Sequence, residues 1–182
     1  MKSILIRTSE DFNKIDEETD ELEFVEYEDS FEFTEDCFLP KITFTKMDVF
    51  LEYLPLSLEK IFLFDCDAEF GMLKMFPKLK FLAITNRELN INDLVGIDNL
   101  EELSLNYCSV DNVERLKEFS RLNRLSIVNT DISNYEFLFD LEAIKTIVVD
   151  EDNFEKNKEL FIELSKKDIL ILDMMGGCYN EI

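Results

Sequence analysis

The stretch from Leu100 to Leu122, LEELSLNYCSVDNVERLKEFSRL, changes its apolar period partway along. Leu103 and Leu105 alternate with polar residues, a period of two that predicts a short strand with both leucines facing inward. Val110, Val113, Leu116 and Phe119 then recur every three residues, which predicts a 3₁₀-like or tight helical return rather than a full α-helix. One strand and one return make one coil of a chain that winds on itself.

The coil repeats. L-x-x-L-x-L blocks start at Leu58, Leu79, Leu100, Leu122 and Ile144, at intervals of 21 or 22 residues. A weaker copy starts at Leu39, 19 residues before the first clear one. The unit before the quoted one supplies Leu79, Leu82, Ile84, Leu89, Ile91, Leu94 and Ile97, and the unit after it Leu122, Leu125, Ile127, Thr130, Ile132, Tyr135, Leu138 and Leu141. No single coil buries its apolar face, so neighbouring coils must stack to close a core.

Over residues 39–152 this pattern resembles the leucine-rich repeat superfamily, in its 22-residue class LxxLxLxxNxIxxIxxLxx of phosphatase-regulator-like and internalin-like repeats. The resemblance implies an α/β fold: a right-handed solenoid with short parallel strands on the concave face, 3₁₀ or short helical returns, and capping elements at both ends. At the ninth position such repeats carry Asn or Cys, whose side chain satisfies backbone groups in the turn after the strand. Here that position holds Cys66, Arg87, Cys108, Thr130 and Asp152. The Thr130 hydroxyl can stand in. Arg87 cannot pack inward as a neutral ladder residue, so its turn is expected to be distorted or to shift register by one, to Asn86.

The flanks read as caps, which a solenoid needs to protect its core and its open strands. Residues 1–38 form an acidic N-terminal cap, with a short apolar run at Ile4, Leu5 and Ile6. The alternating stretch LEFVEYEDSFEF at 22–33 predicts one or two strands with acidic outer faces. Residues 153–182 form a C-terminal helix-strand cap and tail. In FEKNKELFIELSKK (154–167), Phe154, Leu160, Phe161 and Leu164 share one helical face, and the strand-like DILILD follows.

The formal net charge is -22, from 41 acidic and 19 basic residues. Nucleic-acid binding needs cations to neutralise phosphates, and anionic membranes repel such a chain, so neither is an expected partner. A basic protein is the partner this charge would steer toward contact. The alternative is that the charge only keeps a Phe-rich solenoid soluble. Residues 1–37 hold fourteen acids against Lys2, Arg7 and Lys14, half of the net charge in a fifth of the chain. No secretory leader is visible and Cys37, Cys66, Cys108 and Cys178 lack CxxC pairing, so a reduced, cytoplasmic setting is expected, with a mature secreted form as the alternative.

Chemistry-bearing motifs are absent. The chain has no histidine, which removes His-based acid-base catalysis, Ser-His-Asp and Cys-His systems and His-containing metal sites. No phosphate-cradling glycine loop and no D-x-D-x-D-G calcium loop occurs. Cys66 and Cys108 fall at equivalent positions two coils apart and read as small buried ladder residues rather than ligands. Neither enzyme activity, nor a cofactor, nor a metal is expected.

The expected site is the concave face, built from the third, fifth and seventh positions of each block. The third positions are Lys41, Lys60, Phe81, Glu102, Arg124 and Thr146; the fifth are Thr43, Phe62, Ala83, Ser104, Ser126 and Val148; the seventh are Thr45, Phe64, Thr85, Asn106, Val128 and Asp150. Phe62, Phe64 and Phe81 fall on adjacent strands and form a ring patch larger than a surface ordinarily leaves exposed. With Thr85, Glu102, Asn106, Tyr107 and Arg124 they make up the expected partner-binding set. The alternative is that the N-terminal segment covers the rings through Phe31 or Phe33. The expected function is a non-catalytic protein-protein interaction module for a basic partner. The alternative is an acidic inhibitor or immunity protein that neutralises a basic enzyme such as a nuclease toxin.

Overall fold

The computed structural model describes residues 2–16, 18–28, 31, 33 and 37–179. Among these residues there are thirteen strands: β1 (Lys2–Ile6), β2 (Thr19–Val25), β3 (Lys41–Thr45), β4 (Asp48–Val49), β5 (Lys60–Phe64), β6 (Asp67–Ala68), β7 (Phe81–Thr85), β8 (Glu88–Asn90), β9 (Glu102–Asn106), β10 (Ser109–Asp111), β11 (Arg124–Ser126), β12 (Thr146–Val148) and β13 (Leu170–Leu172). The α-helices are short: α1 (Ile91–Leu94), α2 (Glu151–Lys156) and α3 (Lys158–Ser165). Nine strands pair in one sheet in the order β1-β2-β3-β5-β7-β9-β11-β12-β13, parallel throughout. The returns are 3₁₀ turns at Leu51–Tyr53, Phe70–Met75, Val113–Glu118 and Glu136–Asp140, with α1 taking that place in one coil. This is the α/β leucine-rich-repeat solenoid that the L-x-x-L-x-L spacing predicts.

Register explains the core. Ile4, Leu22, Ile42, Ile61, Leu82, Leu103, Leu125, Ile147 and Ile171 fall in one column across the sheet, and all are buried. A parallel column runs Ile6, Phe24, Phe44, Leu63, Ile84 and Leu105, each fully buried. The sheet therefore carries the repeat register beyond residues 39–152, onto β1 and β2 at one end and β13 at the other. The stretch at 22–33 contributes one strand, β2, which begins at Thr19. Phe31 instead packs on Phe24 (ring centroids 4.7 Å) and Phe44 (6.0 Å), with Phe33 edge-on against it at 5.7 Å. Residues 29, 30, 32 and 34–36 of that region lie outside the described residues.

The helical face read over 154–167 is divided. Asn157 leaves helical geometry (φ -120°, ψ 28°), so α2 ends and α3 starts there. Phe154, Phe161 and Leu164 are buried as the period requires, and Leu160 is partly buried. After β13 the chain turns at Asp173, Cys178 pairs back on Leu172, and Tyr179 stacks on Phe154 at 4.0 Å.

The turn at Arg87 is neither distorted nor shifted, contrary to expectation. The eighth residue of six successive coils is left-handed: Glu26, Lys46, Asp65, Asn86, Tyr107 and Asn129 have φ between 49° and 59°. Pairing is unshifted on both sides, Thr85 with Asn106 and Glu88 with Ser109. Arg87 fills the ninth position by another route. Its Nε donates to the Cys66 carbonyl at 2.6 Å, while its charge faces Asp65 (3.5 Å) and Asp67 (3.3 Å). In neighbouring coils the Cys108 thiol donates to the Ile84 and Asn106 carbonyls, and the Thr130 hydroxyl to Leu105 (2.5 Å) and Val128 (3.3 Å). Arg87 thus satisfies a turn carbonyl of the preceding coil, where the shorter Cys108 and Thr130 side chains reach carbonyls at the strand ends.

Candidate protein-binding face

The pleat sends alternate residues of each strand to the open side of the sheet. Lys41, Lys60, Phe81, Glu102, Arg124 and Thr146 align in one column there, and Thr43, Phe62, Ala83, Ser104, Ser126 and Val148 in the next. Thr45, Phe64, Thr85 and Asn106 form the third. Register thus brings Phe62, Phe64 and Phe81 together. Phe62 and Phe81 stack at 4.7 Å with planes 29° apart, and Phe64 lies 5.9 Å from Phe62. All three are half-buried. Phe31 and Phe33 do not cover them: Phe31 packs with the inward rings of Phe24 and Phe44, and Phe33 packs edge-on against Phe31 and the core.

Charge on this face is unevenly satisfied. The Lys41 ammonium sits 2.6 Å from Glu21, which is 4 % exposed and also accepts from the Thr43 hydroxyl at 3.2 Å. The same ammonium lies 4.8 Å from the Phe62 ring centre, in a cation-π contact. Lys60, next in the column and exposed, has no ion pair among the described residues. Arg124 and Glu102 are only loosely paired, at 3.8 Å. Glu21, within the expected N-terminal cap, lies on β2 as a register partner of Lys41. Its signal was present, since TDELEF from Thr19 fits the repeat block once Thr is allowed at the first position.

Several expected contact residues hold the sheet instead. The Thr85 hydroxyl accepts the Asp65 N–H at 3.3 Å. Asn106 Oδ1 accepts from the Ser126 hydroxyl (2.8 Å) and the Val128 N–H (3.0 Å). Asp150 accepts the Asn129 N–H at 2.7 Å and caps α2 through the Asn153 N–H at 2.9 Å. Burial pushes the Asp150 carboxyl up, but these hydrogen bonds outweigh it and hold the group below its ordinary value. Val128 is fully buried rather than on the face, because β11 stops at Ser126 and the next residues turn under the Asn106 side chain. Ala83 and Val148 are also buried, small residues beneath larger neighbours. Tyr107 sits at the strand end, 49 % exposed and left-handed, on the edge of the face.

That edge is where the charge gathers. The eighth to tenth positions of the seven coils starting at Thr19, Leu39, Leu58, Leu79, Leu100, Leu122 and Ile144 hold nine acids and two bases. Both bases, Lys46 and Arg87, are paired with acids of the same edge. On the opposite edge, the last residue before each of these coils and the first two within it hold four acids and four bases. The fold thus sorts one strongly negative rim from one balanced rim. Among the described residues no cluster of three or more Cys, Asp or Glu side chains is arranged to hold a metal, none of the four cysteines is in a disulfide, and no helix is long and apolar enough to cross a membrane.

No protein-family model matches the sequence, and no curated protein is similar to it by sequence. Two solved structures from Listeria monocytogenes are similar in fold. For an internalin C2 the TM-score is 0.52 at 12% identity, covering 72% of this chain and 71% of that one. For an internalin (inlF) it is 0.57 at 14% identity, covering 80% of this chain but only 45% of that one. At such identities the likeness is one of fold: the leucine-rich-repeat solenoid.

Proposed function

We propose that this leucine-rich-repeat chain is a non-catalytic module that binds a protein partner on the concave face of its sheet. The observation that carries the reading is the contiguous Phe62–Phe64–Phe81 cluster, half-buried and uncovered by Phe31 or Phe33. Aromatic anchors of this kind, rigid and partly desolvated beforehand, supply most of the affinity in protein interfaces. Lys60, Arg124, Glu102 and Tyr107 surround them with groups able to select a partner. The acidic rim beside the face favours a basic partner and would speed encounter with it. Four cysteines outside any disulfide support a reducing, cytoplasmic setting.

Replacement of Phe62 and Phe81 by Ser tests this. The variant should keep its circular dichroism spectrum while losing the partner that wild type captures from its native extract. Rising salt should slow capture by wild type. A partner bound with unchanged kinetics from low to high salt would reduce the charge to a solubility device. The rim, with nine acids against two bases, also favours a second reading as an inhibitor of a basic enzyme. In that case the purified chain abolishes the activity of the captured protein at one-to-one stoichiometry, whereas a scaffold leaves it intact.

A further inference from the structure

A second concavity lies off the sheet face, on the acidic rim, where the turns after β2 and β3 meet the return at Leu51–Tyr53. It is a cavity of about 830 Å³, within the range that holds small ligands or a partner's side chain. Four of its walls are aromatic: Tyr27, Phe31, Phe50 and Tyr53. Tyr27 and Phe31 belong to the packed ring cluster under β2, 6.1 Å apart, and form a fixed floor. Phe50 and Tyr53 stand above it, 60 % and 49 % exposed, with ring centres 6.3 Å apart and planes tilted by 49°.

The remaining polar walls are almost all anionic. Among the described lining residues Lys46 is the one base, and Glu26 holds it at 3.4 Å. Glu28, Asp48 and Glu52 are exposed and have no ion pair among the described residues. Ring faces and carboxylates present the same sign of potential, and both attract a cation. The apolar area of the rings also rewards methyl or methylene groups on that cation, which a bare metal ion lacks. An anion is repelled here, and a neutral apolar ligand gains nothing from three unpaired carboxylates.

We propose that this cavity binds an organic cation, an alkylammonium or guanidinium group with an apolar stem. Its source is either the Lys or Arg side chain of a protein partner or a free small amine. The site is separate from the Phe62 face, so either can be right without the other.

The test titrates the full-length chain with choline and with a short Arg- and Lys-rich peptide, by calorimetry and by tyrosine emission, which no Trp obscures. The controls are the neutral isostere 3,3-dimethylbutanol and the same peptide with citrulline and norleucine in place of Arg and Lys. Saturable binding of a cationic probe is expected, weakened about tenfold by Phe50→Ala or Tyr53→Ala. Asp48→Asn with Glu52→Gln should weaken it further, and Phe62→Ser should leave it unchanged. Tighter binding of the peptide supports a partner side chain as the source, and tighter binding of choline a free amine. These exposed substitutions should leave the circular dichroism spectrum intact. Neutral controls binding as well as the cations, or affinities indifferent to the ring and carboxylate variants, would overturn the proposal.

Discussion

Truncating Phe62 to Ala distinguishes an open ring cluster from covered core. Fully burying a Phe side chain is worth about 1.5–3 kcal/mol, so a half-buried one contributes about 1 kcal/mol. Stacking on Phe81 at 4.7 Å adds about 1 kcal/mol. The Lys41 ammonium at 4.8 Å adds about 0.5 kcal/mol. The expected loss is therefore about 2–2.5 kcal/mol. Phe44 is the internal reference, since it is fully buried and stacked on Phe24 at 5.0 Å. Its truncation should cost about 3–5 kcal/mol. Urea unfolding followed by far-ultraviolet circular dichroism measures both, and a double-mutant cycle between Phe62 and Phe81 should return a coupling of about 0.5–1.5 kcal/mol. If Phe62→Ala cost as much as Phe44→Ala, the ring would be core and the open-face reasoning would fail.

Lys41→Met leaves the Glu21 carboxylate buried without its counter-charge and should cost about 3 kcal/mol in urea unfolding, most of it recovered in the Lys41→Met/Glu21→Met double variant. Thr130→Val leaves the Leu105 and Val128 carbonyls without their donor and should cost about 1–3 kcal/mol, whereas Thr130→Cys, the residue that Cys108 supplies one coil earlier, should cost less. Burial pushes the Cys66 and Cys108 thiols above their ordinary value of 9.0. Unfolded thiols release their protons near that pH while folded ones hold them, so these two sites should make stability fall as pH climbs past it, and a Cys66→Ala/Cys108→Ala chain should lose that part of the slope. Added salt should raise the melting temperature of the free chain, by screening the acidic rim, while it slows partner capture. A melting temperature that fell with salt would contradict the repulsion inferred for the rim.

The spacing of the blocks made the core legible because burial in a parallel sheet is a register property. Once Leu103 and Leu125 are assigned inward, every neighbour in the column follows. The same arithmetic places Phe62, Phe64 and Phe81 together from the spacing alone. Hydrogen bonding was harder to read, since it depends on side-chain reach rather than on period. Thr85 and Asn106 look like solvent-facing polar residues in the pattern, yet each turns its oxygen to a backbone N–H at the end of the sheet. Arg87 is hard to read for a similar reason: its charge argues against an inward position, while its Nε supplies a turn donor beside Asp67 and its guanidinium tip faces Asp65. The Glu21–Lys41 pair was missed because β2 belongs to a coil whose first position is Thr rather than Leu. The short ladders β4–β6 and β8–β10 are two or three residues long and have no period to detect.

The fold explains one feature of the acidic rim and leaves another for the partner. Six successive coils leave their strands through a left-handed residue, and Asn86, Asn129 and Asp65 are types that enter that conformation at low cost. That requirement concerns the eighth position and says nothing of charge, since Lys46 and Tyr107 meet it too. Two residues later Asp48, Asp67, Glu88 and Asp131 are exposed. Asp48 and Asp67 are direct partners in β4 and β6, where like charges destabilise. Arg87 relieves Asp67 alone, at 3.3 Å. No turn, cap or core contact among the described residues requires a carboxylate at Asp48, so the repulsion is a cost the solenoid bears on its own. Cations brought by a bound partner would remove it, and the rim would then be more favourable in such a complex than in the free chain.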